Sequence, residues 1–199
     1  MTSRREILKV GLAASALPLA GGAAFAAAAG ERQLEAVALY KVLYDTRFPA
    51  SVAFAARAAE QGHAVHAMQG DMTQFWYDDL YHRWRQGPAA IAGLTAYGAL
   101  FCLEQLAWDQ RMRVVFRAEH TLAASGCVAH ALEGPVALVE RAADAALDRG
   151  WAEAMADLAL QCPRRRTERG AARIETATAA LAPTTEKLYS WVIARVARV

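Results

Sequence analysis

Three residues of this 199-residue chain combine the side-chain types needed for acid–base chemistry with positions at the ends of predicted strands. Asp45 and Asp71 each follow a short apolar run, and His120 closes another. A carboxylate at such a point can act as a base or hold a hydroxyl group, and histidine exchanges protons near neutral pH. The sequence therefore predicts Asp45, Asp71 and His120 as candidate catalytic residues.

Further polar residues follow the same apolar runs and are candidates for ligand binding. In an open parallel sheet these positions share one edge, where the following helices also direct backbone N–H groups that favour an anion. The candidates are Arg47, Ser51, Thr73, Thr95, Arg117 and Glu119. Helix capping is an alternative explanation for four residues at this edge, since capping residues are expected at their positions. They are Ser51, Asp71, Thr73 and Thr95.

The order of apolar and helix-favouring segments predicts three strand–turn–helix units and a closing strand. Strands are predicted near residues 34–44, 63–68, 89–92 and 112–117, and helices near residues 51–60, 74–86 and 96–109. Repeated units of this kind give right-handed crossovers and a parallel sheet covered on both faces. An all-α fold is the alternative, because the chain is rich in alanine and four-residue apolar runs are ambiguous.

From about residue 121 the strand pattern weakens and helices are predicted. They cover residues 136–149, 151–161 and 173–181, and Leu188–Ala194 is predicted to return as an edge strand because of its β-favouring composition. The predicted fold is α/β, with an open, mostly parallel sheet of four to five strands, flanking helices and a helical C-terminal part. The domain is expected to span residues 31–199.

The first 30 residues have the three parts of an export signal. A charged start is followed by a short apolar run over residues 10–19 and by the small-residue site Ala24-Phe25-Ala26. A membrane anchor is disfavoured, since crossing a bilayer takes roughly 20 apolar residues. We expect a signal peptide over residues 1–26, cleaved after Ala26, with cleavage after Ala28 as the alternative.

The segment Ser3-Arg4-Arg5-Glu6-Ile7-Leu8-Lys9 resembles the twin-arginine (Tat) signal pattern S-R-R-x-F-L-K. Arg4 and Arg5 form the pair, and Ile7 replaces the aromatic residue. The resemblance implies that the Tat translocon exports the folded protein to the periplasm. Such signals occur on redox enzymes and on their small partners, so it also implies an accessory or binding subunit of a larger exported enzyme.

The residues themselves leave two functions open. The apolar segment Leu122–Leu160 favours the accessory role, because its helices are predicted to cover a partner. The alternative is a small periplasmic enzyme that uses Asp45, Asp71 and His120.

Composition narrows the classes of partner. The chain has 22 basic and 20 acidic residues, and loss of residues 1–26 removes three basic residues and one acidic residue. The mature chain is formally neutral, which argues against nucleic acid as the main partner. No later segment is long and apolar enough to predict stable membrane insertion. Common nucleotide, haem and metal motifs are absent from the sequence, so we assign no cofactor and no metal ligand.

The three cysteines lie outside any C-x-x-C pair. Cys102 stands in an apolar run and is predicted to be a buried free thiol. Cys127 and Cys162 are compatible with one disulfide or with two free thiols, since spacing alone does not show the geometry that a bridge requires.

Overall fold

The computed structural model describes residues 35–122, 127–144, 150–177 and 186–195. The predicted signal peptide, including Arg4 and Arg5, lies outside the described residues. The strands are β1 Leu39–Asp45, β2 Val65–Met68, β3 Ala90–Ala96, β4 Arg113–Leu122, β5 Cys127–Pro135, β6 Arg169–Ala177 and β7 Leu188–Ala194. The helices are α1 Pro49–Glu60, α2 (Thr73–Phe75, a π-helical turn Trp76–Leu80, and Tyr81–Arg85), α3 Tyr97–Asp109, α4 Val136–Asp144 and α5 Trp151–Leu160.

The strands form one mixed sheet in the order β2-β1-β3-β7-β4-β5-β6. Strand β1 runs parallel to β2 and β3, whereas the other four neighbouring pairs are antiparallel. The α/β class is thus confirmed and the all-α alternative is wrong. The sheet is larger than the predicted four to five strands, and the prediction that it is mostly parallel is wrong.

Strand β7 accounts for much of this difference, because it lies between β3 and β4 instead of at an edge. Ser190 in β7 is opposite Leu94 on one side and Ala118 on the other. Trp191 fits there because Gly93 has no Cβ, and a Cβ at that position would lie 2.8 Å from the Trp191 ring. The strand is buried on both faces, as expected for a central strand. Since β7 is antiparallel to both neighbours, β4 runs in the same direction as β1, β2 and β3.

The second half of the chain contains strands as well as helices. Helices α4 and α5 lie near their predicted positions, but the strands β5 and β6 on either side of them form an antiparallel pair. The helix predicted at residues 173–181 is wrong for the described part of that range. In β5 the side chains of Val128, His130 and Leu132 are buried, while Ala129 and Glu133 are exposed. This alternation is typical of a strand with one covered face.

Alternation along the strands divides the core into two clusters, one on each face of the sheet. Val42 packs with α1, α4 and α5 on the first face, and the adjacent Leu43 packs with α2 and α3 on the second. The apolar residues of α4 and α5, including Leu138 and Met155, are buried in the first cluster. The prediction that these helices present an apolar surface to a partner is therefore wrong for these residues.

All three cysteines are free thiols. Cys102 is exposed, contrary to the prediction, because it lies on the outer side of α3. Burial raises the pKa of Cys162 to about 12, which keeps this thiol protonated. Among the described residues, no helix has the length and apolar character needed to cross a membrane.

Candidate functional site

The side chain of Asp45 is buried at the end of β1 and is held by Arg47. Both carboxylate oxygens contact the guanidinium group, with Nη2 of Arg47 2.7 Å from Oδ2, and the backbone N–H of Arg47 donates to Oδ1 at 3.1 Å. The guanidinium group of Arg47 lies against Gly70 after β2, where any Cβ would collide with it. Asp45 and Arg47 therefore connect the ends of two neighbouring strands.

Ser51 and Thr95 join elements of the sheet from buried positions. Ser51 Oγ accepts a hydrogen bond from the backbone N–H of Asp45 at 2.8 Å and donates to the carbonyl of Leu94. Thr95 Oγ1 accepts from Nε1 of Trp191 at 3.0 Å, which links β3 to β7. Neither residue caps a helix, since α1 and α3 begin after Phe48 and Ala96.

Asp71 and Thr73 lie on the surface at the beginning of α2. Asp71 Oδ1 accepts the backbone N–H of Thr73 at 2.8 Å, and hydrogen bonding from Thr73 lowers the pKa of Asp71. This contact is an Asx turn that fixes the chain before the helix. The predicted capping role is wrong for Asp71 and Thr73, since the helix begins after Met72 without a side-chain cap.

Arg117 and Glu119 lie on the second face of the sheet, whereas His120 lies on the first. Arg117 pairs with Glu104 of α3 at 3.1 Å, and Glu119 Oε1 accepts from Lys187 at 2.5 Å. Hydrogen bonding from Lys187 lowers the pKa of Glu119. The predicted residues thus have separate partners, and no described hydrogen bond or ion pair joins Asp45, Asp71 and His120.

His120 belongs instead to a buried chain of four hydrogen-bonded side chains across β7, β4, β5 and β6. His120 Nε2 lies 2.9 Å from Ser190 Oγ, and His120 Nδ1 lies 2.7 Å from His130 Nδ1. At the other end, His130 Nε2 lies 2.8 Å from Thr176 Oγ1. We refer to Ser190, His120, His130 and Thr176 as the histidine chain.

The surroundings of the histidine chain favour neutral imidazoles. The ring of Trp151 packs against both, with centroid separations of 4.6 Å to His120 and 5.3 Å to His130. Burial lowers the pKa of His130 to about 4. Burial, together with the charge of His130, lowers the pKa of His120 well below its usual value.

Two neutral imidazoles that meet through Nδ1 atoms must hold opposite tautomers, since one Nδ1 donates and the other accepts. In one arrangement Ser190 donates to His120, His120 to His130, and His130 to Thr176. In the other, every hydrogen bond is reversed. The two arrangements differ in which end of the chain donates, Ser190, which is fully buried, or Thr176, which is half-buried.

A second polar cluster lies on β1 beneath the π-helical turn of α2. Asp79 forms an ion pair with Lys41 and accepts a hydrogen bond from the Tyr40 hydroxyl at 2.5 Å. Burial raises the pKa of Asp79, but the hydrogen bonds from Lys41 and Tyr40 outweigh this effect, and the pKa is lowered. A π-helical turn often accompanies a functional position, although here the cluster also attaches α2 to the sheet.

The outer side of α3 presents a row of exposed aromatic side chains. Tyr97, Phe101 and Trp108 are 51, 47 and 48 % exposed, and their spacing of four and seven residues places them on one side of the helix. The row borders β4, because Glu104 on the same side pairs with Arg117 and the guanidinium group of Arg113 lies 5.6 Å from the Trp108 ring centre. We refer to Tyr97, Phe101 and Trp108 as the aromatic row.

Next to the aromatic row, the second face of β5 and β6 has no helix over it in the described part of the chain. Ala129, Ala131 and Ala171 lie on this face. In the pairing of β5 with β6 they are opposite Glu175, Arg173 and Glu133, so small and charged side chains alternate across the face. The face begins at β5, next to β4, which the aromatic row borders.

Sequence reasoning missed His130, Ser190 and Thr176 as partners of His120. The alternation of buried and exposed positions in β5 was the one available signal, since it places His130 with Val128 and Leu132. Among the described residues, no group of three His, Cys, Asp or Glu side chains is placed to hold a metal ion. Comparison with protein-family models, curated proteins and solved structures found no match to this chain.

Proposed function

We propose that the protein is exported by the twin-arginine route and acts in the periplasm as an accessory or binding subunit of a larger exported enzyme, with redox enzymes as the first class to test. The aromatic row on α3 carries the proposal. Three large aromatic side chains on one side of a helix are costly to leave in water, and such exposed patches are typical of protein interaction surfaces.

The arrangement around the aromatic row supports docking of a protein more than binding of a small molecule. Phe101 and Trp108 are exposed on α3, and the alanines of β5 and β6 leave room for a partner's side chains on that face. The charged side chains opposite the alanines can fix the orientation of the partner. The predicted catalytic carboxylates Asp45 and Asp71 are engaged by Arg47 and Thr73, which favours binding over catalysis.

The docking proposal is tested by co-purification from the native periplasm. Phe101→Glu combined with Trp108→Glu is expected to lose the partner that the wild-type protein retains. Tyr77→Glu is the matched control, because Tyr77 is 65 % exposed on α2 and lies outside the aromatic row. Retention of the same partner by the double variant, or equal loss in the control, would contradict the proposal.

The export proposal is tested separately by fractionation. Arg4→Lys combined with Arg5→Lys is expected to leave the protein in the cytoplasm, while Lys9→Gln, which keeps the arginine pair, is exported. Export that survives the double substitution would contradict use of the twin-arginine route.

The alternative, a small periplasmic enzyme, has one supporting observation. Ser190 Oγ and His120 Nε2 are 2.9 Å apart, the arrangement in which an imidazole activates a serine hydroxyl. A fluorophosphonate probe is expected to label Ser190 if a conformation exposes this residue, and Ser190→Ala removes the labelled position. Absence of labelling in the wild-type protein counts against this alternative.

A further inference from the structure

A cavity lined by arginines lies where β4 begins, at the opposite end of the strands from the predicted ligand-binding residues. Strands β4 and β6 begin at this end and β5 ends there. The cavity has a volume of about 260 Å³, and Val115 and two prolines form its apolar wall. Its polar lining consists of Arg113, Arg165, Arg166, Arg169 and Thr167.

Within the described residues, no carboxylate forms an ion pair with the arginines of this cavity. None of its described lining residues is acidic, and none of the four arginines forms an ion pair with a described residue. Arg169 Nη1 donates to the carbonyl of Val115 at 3.1 Å, and Arg113 Nη1 donates to that of Met112 at 2.7 Å. These bonds position two guanidinium groups and leave their charge uncompensated.

Thr167 gives a second and independent indication of a ligand. Thr167 lines the cavity, and its Oγ1 atom is buried without a hydrogen-bond partner among the described residues. A buried hydroxyl without a partner costs about 1–3 kcal/mol, so such groups in folded proteins usually have a reason. An anion whose binding turns Oγ1 towards the cavity would supply the missing partner.

A local irregularity of β4 helps to form the cavity. The pairing of β4 with β7 shifts between Val114 and Phe116, so Val115 is an extra residue whose carbonyl is released to bind Arg169. Bulges of this kind redirect neighbouring groups and occur often beside functional sites. The bulge at Val115 therefore contributes directly to the position of one lining arginine.

We propose that this cavity binds the phosphate group of a small molecule. Guanidinium groups match phosphate oxygens with paired N–H donors, and phosphate accepts several donors at once, whereas a planar carboxylate is satisfied by fewer. Several uncompensated positive charges favour a dianion. The volume is below the roughly 300–1,000 Å³ of pockets for drug-sized ligands, so it suits inorganic phosphate or a short phosphate monoester.

Calorimetric titration of the mature protein with inorganic phosphate tests the proposal. Arg166→Gln and Arg165→Gln are each expected to weaken binding by at least about tenfold, the usual effect of losing a charged hydrogen bond. Thr167→Val is expected to weaken it by roughly threefold, as for a neutral donor. Arg164→Gln is the matched control, because this neighbouring arginine pairs with Glu35 and does not line the cavity.

The Arg164→Gln control distinguishes specific binding in the cavity from general attraction of phosphate to a positively charged surface. An affinity loss in Arg164→Gln as large as that in Arg166→Gln would overturn the proposal, as would malonate binding more tightly than phosphate. Binding to vesicles that contain phosphatidic acid, without binding of inorganic phosphate, would also overturn it in favour of a lipid surface. The phosphate titration is independent of the docking experiment on the aromatic row, since the two experiments substitute different residues.

Discussion

The Nδ1 atoms of His120 and His130 lie 2.7 Å apart, so one proton is shared between the two imidazoles and each tautomer fixes the other. Protonating both rings would place two donors face to face inside the core. Burial on the first face of the sheet adds to this penalty, and the pKa values of both residues are lowered in the folded state. The lowered pKa values therefore favour neutral histidines at this position.

The first prediction concerns pH. The unfolded chain takes up protons on its histidines near pH 6.5, while folded His130 resists protonation until about pH 4. The unfolded state binds more protons in this window, so the stabilisation is complete above pH 6.5 and is lost progressively as the pH falls towards 4. His130 alone accounts for about 3 kcal/mol at the lower end.

Denaturant unfolding measured at several pH values checks this dependence. The double variant His120→Asn with His130→Asn removes both titrating groups and is expected to show a flatter profile between pH 6.5 and 4.5. A double variant with the same slope as the wild-type protein would show that other groups cause the acid sensitivity.

The second prediction compares the two ends of the histidine chain. Ser190 is fully buried, so Ser190→Ala leaves His120 Nε2 without a partner and is expected to cost about 1–3 kcal/mol of unfolding free energy. Thr176 is half-buried, so water can replace its hydroxyl, and Thr176→Val is expected to cost less than half as much. Urea unfolding at pH 7.5 measures both, and equal losses would contradict this account of burial.

The third prediction uses two glycines. A Cβ on Gly93 would lie 2.6 Å from the carbonyl oxygen of Leu43 and 2.8 Å from the ring of Trp191, so Gly93→Ala is expected to destabilise by at least about 2 kcal/mol. Gly98 in α3 has nothing within 4 Å of the same position, and Gly98→Ala is expected to stabilise by about 0.5–1 kcal/mol. Thermal unfolding that ranks the two variants in the opposite order would contradict the packing of β7 beside β3.

The first half of the fold could be predicted because its signals are local. Gly62 ends the segment of α1, and Gly87 and Pro88 end that of α2, while the apolar runs between them mark the strands. Of the antiparallel strands, β4 and β7 are predicted as strands from the sequence, whereas β5 and β6 are not. β6 carries arginine, glutamate and alanine at exposed positions, and only its pairing with β5 makes the segment a strand.

The candidate sites likewise combine residues that the sequence reveals with contacts that only the strand pairing creates. Single residues such as His120 and the arginines near residue 165 can be recognised in the sequence, but their neighbours depend on strand register and order. His120 meets His130 because the two are opposite each other in β4 and β5, and it meets Ser190 because β7 enters the sheet beside β4. The cavity likewise needs the start of β4 next to the segment before β6.

The last prediction tests the polar cluster beneath the π-helical turn. Asp79 pairs with Lys41 and Tyr40, whereas the adjacent Asp78 is exposed. Asp79→Asn keeps the shape of the side chain but removes the charge, so it is expected to cost about 1–2 kcal/mol, a value reduced because the pair is partly exposed to solvent. Asp78→Asn is expected to change the unfolding free energy by less than about 0.5 kcal/mol. Urea unfolding at pH 7.5 measures both variants, and equal effects would show that the cluster does not hold α2 on the sheet.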